Sequence, residues 1–508
     1  MYPVVTADEM RLLDRLTIED AGIPGMVLME NAAREVTQAV QELYDGQSPV
    51  TVIAGTGNNG GDGLAVARQL TVAGVETLVV LVGGRELVSG DALTQLDIVD
   101  TLGIDIIEVD EDDVPEEAFE ALELAGVCVD AVFGVGLSRN ISGPAATILE
   151  ALADVEAMIV SVDLPSGVCP NTGQVLGIAV AADVTVTFGM PKRGHTQYPG
   201  RALAGELIVA DIGIPPAIIA HVGPQVTLSS DIAPPYLPPR PPHAHKGQFG
   251  HIVIVGGGTG TSGAALLAGM AALRCGAGLC TVVTHTRVQG ALEGRYPELM
   301  IEAGWSDEGL RSQVLDRLLD VADVIVAGPG LAVTPLGRAV VDKVLEAERP
   351  VVLDAGALSI LAPLGASGIR GINRVITPHP GEAGRLLGMS SADVQIDRFA
   401  AVSELSARVG GTVVLKGAAT LVASEDAGIS VNTSGNPGMA TAGTGDVLAG
   451  MCAAFMAREL DTYEAVRTAV YVHGLAGDAA ADLLGMESVI ATDVLEALPG
   501  ILHEQPTA

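Results

Sequence analysis

Val50-Thr-Val-Ile-Ala54-Gly55-Thr-Gly57-Asn-Asn-Gly60-Gly-Asp62-Gly63-Leu-Ala-Val-Ala67 is the stretch on which the fold turns. The first five residues, β-branched or small and apolar, read as a buried strand, and Gly55, Gly57 and Gly60 as a tight loop. The Ala-rich run after Gly63 reads as a helix. The order recurs at 251–255, where another apolar strand runs into Gly258-Thr-Gly260-Thr-Ser-Gly263 and an Ala-rich segment. Outward from these two anchors, short apolar strands alternate with helical stretches. In the first half they are expected at 50–54, 77–82, 104–108, 127–133 and 158–162. In the second they fall at 251–255, 279–284, 324–327, 351–354, 375–377 and 412–415, followed by a hairpin at 420–423 and 429–432. The last sixty residues read as largely helical. Thr6 and Glu9 form a capping box for a first helix, with a second from Met26 to about Leu43. Strand and helix in alternation predict parallel sheets covered on both faces, so the fold class is α/β, with two three-layer α/β/α domains.

At 508 residues the chain is too long for one ordinary core. Six of the nine residues from Pro234 to Pro242 are proline, which reads as an extended linker. The expected organisation is 1–225, a linker at 226–245, and 246–505. A net charge of −35 argues against nucleic acid or an anionic membrane as partner. No apolar run approaches the ~18 residues of a membrane span, and Met1-Tyr2-Pro3-Val4 lacks the start of a signal peptide. Five cysteines without a Cys-x-x-Cys pair fit reduced thiols and a cytoplasmic location. Lysine is scarce: of four, Lys192, Lys246 and Lys416 lie in Gly- or Pro-rich segments, a hint that each marks a site.

Both glycine loops match Gly-x-Gly-x-x-Gly, the dinucleotide fingerprint. That fingerprint expects an acid at the end of the next strand for the ribose. Here those strands end Val82-Gly83-Gly84-Arg85 and Thr284-His285-Thr286. A classical dehydrogenase is therefore disfavoured, while a phosphate or sugar edge near each loop is retained. The first loop carries Asn58, Asn59 and Asp62, too polar for ordinary packing. Asp130 lies inside an apolar strand, and Asp163 and Ser166 end another. Strand carboxyl ends face one crevice, where Asn59, Asp130, Asp163 and Ser166 converge as hard oxygen ligands for an alkali or alkaline-earth ion. The alternative is that Asp130 and Asp163 merely cap the loops after their strands. Lys192 follows a further strand.

In the second half, Asn-Pro-Gly-Met-Ala-Thr-Ala-Gly-Thr-Gly-Asp-Val-Leu (436–448) joins three glycines to a helix start, with Asp446 inside it. Free amides and the helix dipole favour an anion there. A carboxylate in that cradle is suited to take a proton from a hydroxyl while the amides hold a phosphoryl group. The alternative is a helix cap. His379 in Thr377-Pro-His379-Pro-Gly-Glu382 sits on a rigid turn, and Lys416 ends a strand before Gly417. With Asp446 these are the parts of phosphoryl transfer.

Across nearly its whole length the chain resembles the bifunctional NAD(P)H-hydrate repair enzymes. The first half is similar to the NAD(P)HX epimerase domain, Rossmann-like, through 57–63, 162–167 and 191–195. The C-terminal half resembles the ribokinase-like NAD(P)HX dehydratase domain, through 246–250, 377–382, 415–420 and 436–446. The resemblance implies that the first half interconverts the R and S hydrates of NADH and NADPH at carbon 6 of the nicotinamide ring. It implies potassium on Asn59, Asp130 and Ser166. Substrate would meet Asn58, Asn59, Gly60, Gly61, Asp62, Gly134, Val135, Gly136, Leu137, Ser138, Arg139, Asn140 and Asp163, with Asp163 and Lys192 handling protons. The C-terminal half would phosphorylate the S hydrate with ADP and Mg2+, giving AMP, phosphate and NAD(P)H. Its base would be Asp446, with the amides of 443–445 as anion hole. Ala264, Gly330 and His379 would contact the hydrate, and Lys416, Gly417, Ala418, Ala419, Thr420 and Gly445 the adenine nucleotide. A homo-oligomer is also implied. Family members often have glycine where Ala442 stands, a position that needs only a small side chain. Three rival readings stay open at this point. The C-terminal half reads also as a vitamin-precursor kinase, the N-terminal half as a non-catalytic module like those of RNA-decay scaffolds, and the whole as a dehydrogenase.

Overall fold

Val52 and Ala54 are buried in one apolar core, and Ile53, between them, in another. Successive side chains of a strand point to opposite faces, so the strand Val50–Ala54 is covered on both sides. In this computed structural model, which describes residues 3–110, 114–234, 236–458 and 460–503, the chain divides into two units at Gln225 and Val226.

The N-terminal unit carries one sheet in the order Ile106–Val109, Thr77–Val82, Val50–Ala54, Val127–Ala131, Met158–Val162, Val184–Phe188, Glu206–Ala210. All of its pairings are parallel. The order reverses between Val50–Ala54 and Val127–Ala131, so the crevice of a doubly wound sheet opens where Gly55–Gly60 and the loop after Ala131 leave their strands. The first helix, Ala7–Glu19, has the expected capping box between Thr6 and Glu9.

In the C-terminal unit the order is Val226–Leu228, Gly428–Val431, Leu421–Ser424, Thr412–Leu415, Arg374–Ile376, Val351–Leu353, Val324–Ala327, His251–Val255, Leu279–His285, Met300–Ser306, Gly309–Leu310. The expected hairpin is present and antiparallel. The switch point here lies between Val324–Ala327 and Leu279–His285, with His251–Val255 shared by both. Helix Thr444–Met456 is apolar all round, the signature of a helix with no solvent face, and every residue from Val447 to Phe455 is buried. It packs on Ser262–Arg274 so closely that a Cβ at Gly450 would lie 2.0 Å from the Ala268 carbonyl oxygen. Alanine is the better helix former by about 1 kcal/mol, yet the clash is with backbone, which cannot step aside. Gly450→Ala is therefore expected to destabilise this unit by roughly 1–3 kcal/mol through overpacking and so to lower its thermal midpoint. Calorimetry checks the sign.

Three sequence expectations need correction. Strands 104–108 and 375–377 sit one or two residues off, at Ile106–Val109 and Arg374–Ile376. Met300–Ser306 and Glu206–Ala210 are strands that the sequence pattern does not announce; Glu302 and Gly304 break the apolar run of the first. The segment 226–245 is extended but is not a free linker. Val226–Leu228 pairs with Ile429–Val431, Arg467 pairs with Asp231 at 2.5 Å, and Arg458 donates to the Pro238 carbonyl at 2.6 Å. Arg240 donates to Gly276 at 2.7 Å and stacks 4.1 Å over Phe249. Proline has no N–H to satisfy but keeps its carbonyl, so arginines can strap such a segment down. No described helix is long and apolar enough to cross a membrane.

Candidate functional site

A cavity of about 570 Å³ opens at the N-terminal switch point. Asn58, Asn59 and Asp62 line it from the loop and first turn after Val50–Ala54, and Gly134, Val135, Gly136 and Leu137 from the loop after Val127–Ala131. Asp163 and Lys192 lie beyond the next two strands and complete its lining.

Lys192 is 1% exposed and its ammonium is fully engaged. It pairs with Asp163 Oδ1 and donates to Thr187 Oγ1 at 2.9 Å and the Phe188 carbonyl at 3.0 Å. Burial pushes the Asp163 carboxyl up, but the Lys192 charge and hydrogen bond outweigh it and hold that carboxyl below its ordinary value. Asp163 adopts a φ of +65°, which Asp tolerates better than most residues and which often marks a functional position. Asp62 is driven the other way: burial first, then the charges of Asp163 and Asp14, raise it well above the usual carboxylate range.

Asp130 is buried and accepts from Ser161 Oγ at 2.9 Å, Ser166 N at 2.8 Å and Ser166 Oγ at 2.5 Å. The Phe133 amide donates to Ser166 Oγ at 2.9 Å. No described lysine or arginine pairs with Asp130, and burial raises its carboxyl against those hydrogen bonds. Asn59 comes to this corner as well. A Cβ at Gly134 would lie 2.6 Å from Asn59 Oδ1 and 3.3 Å from Asp163 Oδ2, and Asn59 Nδ2 is buried without a partner. Among the described residues no three His, Cys, Asp or Glu side chains cluster for a metal. The mixed set of carboxylate, hydroxyl and amide oxygens suits a hard alkali or alkaline-earth ion, and a buried carboxylate with no counter-ion is what such an ion would neutralise.

The remaining expected residues divide. Gly60 and Gly61 are buried beneath the loop rather than on the cavity; a Cβ at Gly60 would meet the Gly55 carbonyl at 1.7 Å. Ser138, Arg139 and Asn140 continue the 134–137 loop into solvent.

In the C-terminal unit, Lys416 follows Thr412–Leu415 and bonds Asp354 Oδ1 at 2.7 Å. The Thr377 hydroxyl donates to the same oxygen at 2.8 Å. Lys416 Nζ also sits at the helix mouth, 3.3 Å from where a Cβ of Gly445 would be. Helix Thr444–Met456 is capped by Gly443 at φ +98°, with no side-chain cap, so Asp446 is not that helix's cap. No hydrogen bond among the described residues holds the Asp446 carboxylate. Burial and the Asp354 charge raise it to about 6, against the pull of Lys416. The first-turn amides of this helix have no intrahelical acceptor. Ala264 and Gly330 meet at the other switch-point loop, where Thr261 Oγ1 donates to the Gly330 carbonyl at 2.9 Å. His379 caps Pro380–Leu387, and its half-exposed ring accepts from Gly381 N at 3.0 Å. Thr420 Oγ1 closes on the Gly417 carbonyl at 2.8 Å, with Ala419 at φ +49° and Gly417 and Ala418 exposed.

Lys246 belongs to neither site. It is exposed just before His251–Val255, at the amino end of that strand and away from the crevice. Sequence reasoning missed Asp14, which lines the N-terminal cavity from helix Ala7–Glu19, and Asp354, the acid that holds Lys416. Each carried a signal. Asp14 shares a helical stripe with buried Met10 and Thr17, and Asp354 follows an apolar strand as Asp163 does.

The N-terminal unit matches a family model described as YjeF-related protein N-terminus over residues 25–194. The C-terminal unit matches one described as NAD(P)H-hydrate dehydratase over residues 252–500. The chain is 39% identical to the bifunctional NAD(P)H-hydrate repair enzyme Nnr of Thermofilum pendens, covering 98% of this chain and 96% of that one. It is also 39% identical to Nnr of Moorella thermoacetica, over 99% and 97%. A Bacillus subtilis ADP/ATP-dependent NAD(P)H-hydrate dehydratase, solved with ATP and Mg2+, superposes with a TM-score of 0.45 at 32% identity, over 52% of this chain and 93% of that chain. With full-length relatives spanning both units, the chain belongs to the family of bifunctional NAD(P)H-hydrate repair enzymes.

Proposed function

We propose that the N-terminal cavity interconverts the R and S hydrates of NADH and NADPH, and that the C-terminal site dehydrates the S form at the expense of ADP. The observation that carries this reading is Asp446, a carboxylate that no described residue holds by a hydrogen bond, at the mouth of a helix that attracts anions. Hydroxide is a poor leaving group and phosphate a good one, so a site built for phosphoryl transfer serves a dehydration. Asp446 takes the proton from the hydroxyl on carbon 6. The amides of 443–445 hold the transferring phosphoryl group, Lys416 to Thr420 and Gly445 the nucleotide, and Ala264, Gly330 and His379 the hydrate. Phosphate then departs from carbon 6, assisted by the electron pair on N1, a proton leaves carbon 5 to solvent, and the C5–C6 double bond returns.

In the N-terminal site Asp163 and Lys192 handle the protons, with Asn58, Asn59 and Asp62 and the 134–140 loop against the substrate. Asn59, Asp130 and Ser166 would hold potassium, whose charge would neutralise Asp130 and tie the first helical turn after Gly57 to the strand Val127–Ala131 and the loop after Met158–Val162. In the C-terminal site no three described carboxylates form a cage for Mg2+, so that ion would sit on the nucleotide's phosphates and water, its usual habit. The strongly negative chain and its free, mostly buried cysteines support a cytoplasmic enzyme of small molecules.

A base must be ionised to act. With S hydrate and ADP, kcat/KM is expected to rise with pH through about 6, following Asp446. A flat profile from pH 5 to 8 would remove Asp446 from the role.

A further inference from the structure

Helix Ala7–Glu19 lines the N-terminal cavity with Met10, Arg11, Asp14 and Ile18. At its start, Val5 N donates to the Pro191 carbonyl at 3.0 Å and Arg193 N to the Val5 carbonyl at 2.9 Å, tying it beside Lys192. One turn on, Arg11 Nη2 reaches the Val135 carbonyl at 2.7 Å on the loop across the crevice. Asp14 comes one turn later and lines the same cavity as Asp163 and Lys192, close enough that both charges act on its carboxyl. The other charged groups lining the cavity are Asp62, Asp163, Lys192, Asp91 and Arg11, of which Lys192 and Asp163 act on Asp14. No described lysine or arginine pairs with Asp14, whereas Asp163 has Lys192.

We propose that Asp14 is the acid–base partner of Asp163 in epimerisation, the two carboxyls working on the same ring from two elements of one cavity. This rests on the epimerase reading. Carbon 6 of the hydrate carries a hydroxyl and the ring nitrogen N1. Asp163, the ionised member, takes the hydroxyl proton; the C6–O bond becomes a carbonyl and the C6–N1 bond breaks. The electron pair goes to N1, which takes a proton from Asp14. Rotation about C5–C6 turns the other carbonyl face to N1. In the reverse step N1 attacks, Asp14 recovers its proton and Asp163 returns one to oxygen. No outside reactant is consumed. Burial, opposed by Lys192 and reinforced by Asp163, raises the Asp14 carboxyl to about 6. Two carboxyls whose environments drive them apart divide the acid and base roles.

The test is R/S interconversion measured against pH in the intact chain, with the thermal midpoint of the N-terminal unit by calorimetry as the control for folding. Asp14→Asn should lower kcat about 10²–10⁴-fold, the range for one proton-transfer group, with KM within about 3-fold. It should also abolish the fall in kcat/KM that the wild type shows above pH about 6. Asp14→Glu should restore part of the rate together with that limb. An Asp14→Asn enzyme at the wild-type rate would overturn the proposal, as would one that is slower but keeps the same alkaline limb. If the wild-type chain itself does not interconvert the hydrates, the epimerase reading fails first.

Discussion

Asp446→Asn is expected to end nucleotide-dependent recovery of NADH from its S hydrate while leaving R/S interconversion at the wild-type rate. Asparagine keeps the size and loses the basicity. Removal of a general base costs about 10²–10⁴-fold, and the upper end applies where that base meets a poor nucleophile such as a hydroxyl. Stability should barely change, because no hydrogen bond among the described residues depends on this carboxylate, and its burial disfavours the charge. Loss of function with stability unchanged or higher separates a working group from a structural one. Steady-state assays with separated hydrates, alongside a thermal scan, read both quantities.

Lys192→Met is expected to damage both activity and fold. It leaves Asp163 in the cavity lining without its counter-ion, and breaking a buried pair from one side costs about 3–5 kcal/mol. Epimerisation should fall about 10²–10⁴-fold. Dehydration of S hydrate should persist at temperatures where the N-terminal unit stays folded. Adding Asp163→Asn to Lys192→Met removes the uncompensated charge, and asparagine accepts the φ of +65° at that position. The double variant should therefore regain much of the stability and none of the activity. If the double variant is no more stable than Lys192→Met, Asp163 and Lys192 do not act as an electrostatic unit. Calorimetry of the single and double variants measures the difference.

Much of the fold is legible in the sequence for a physical reason. A strand buried on both faces cannot hide its composition, so Val50–Ala54, His251–Val255 and Val324–Ala327 stand out as β-branched runs. Loops that bring backbone against a neighbour need glycine: Gly60 would strike the Gly55 carbonyl and Gly330 the Thr261 carbonyl if either carried a Cβ. Strand-end acids such as Asp163 are visible because they interrupt or end an apolar run. What escapes is chemistry held by partners distant in sequence. Asp14 reads as one polar residue on an amphipathic helix until the helix is laid over Lys192, and Asp354 has no meaning until Lys416, sixty-two positions later, is bonded to it. Lys246 misleads because its neighbourhood is glycine-rich, yet it lies at the amino end of its strand. The proline segment misleads in another way: composition tells that it is extended, not that Arg240, Arg458 and Arg467 hold it.

The two sites are proposed to act in series, one supplying the epimer that the other consumes. The direct measurement is to give the intact chain pure R hydrate of NADH with ADP and follow NADH absorbance, AMP and phosphate together. Full recovery of NADH, with one AMP and one phosphate for each NADH formed, is the predicted result. R hydrate that is left untouched while S hydrate is repaired would contradict it.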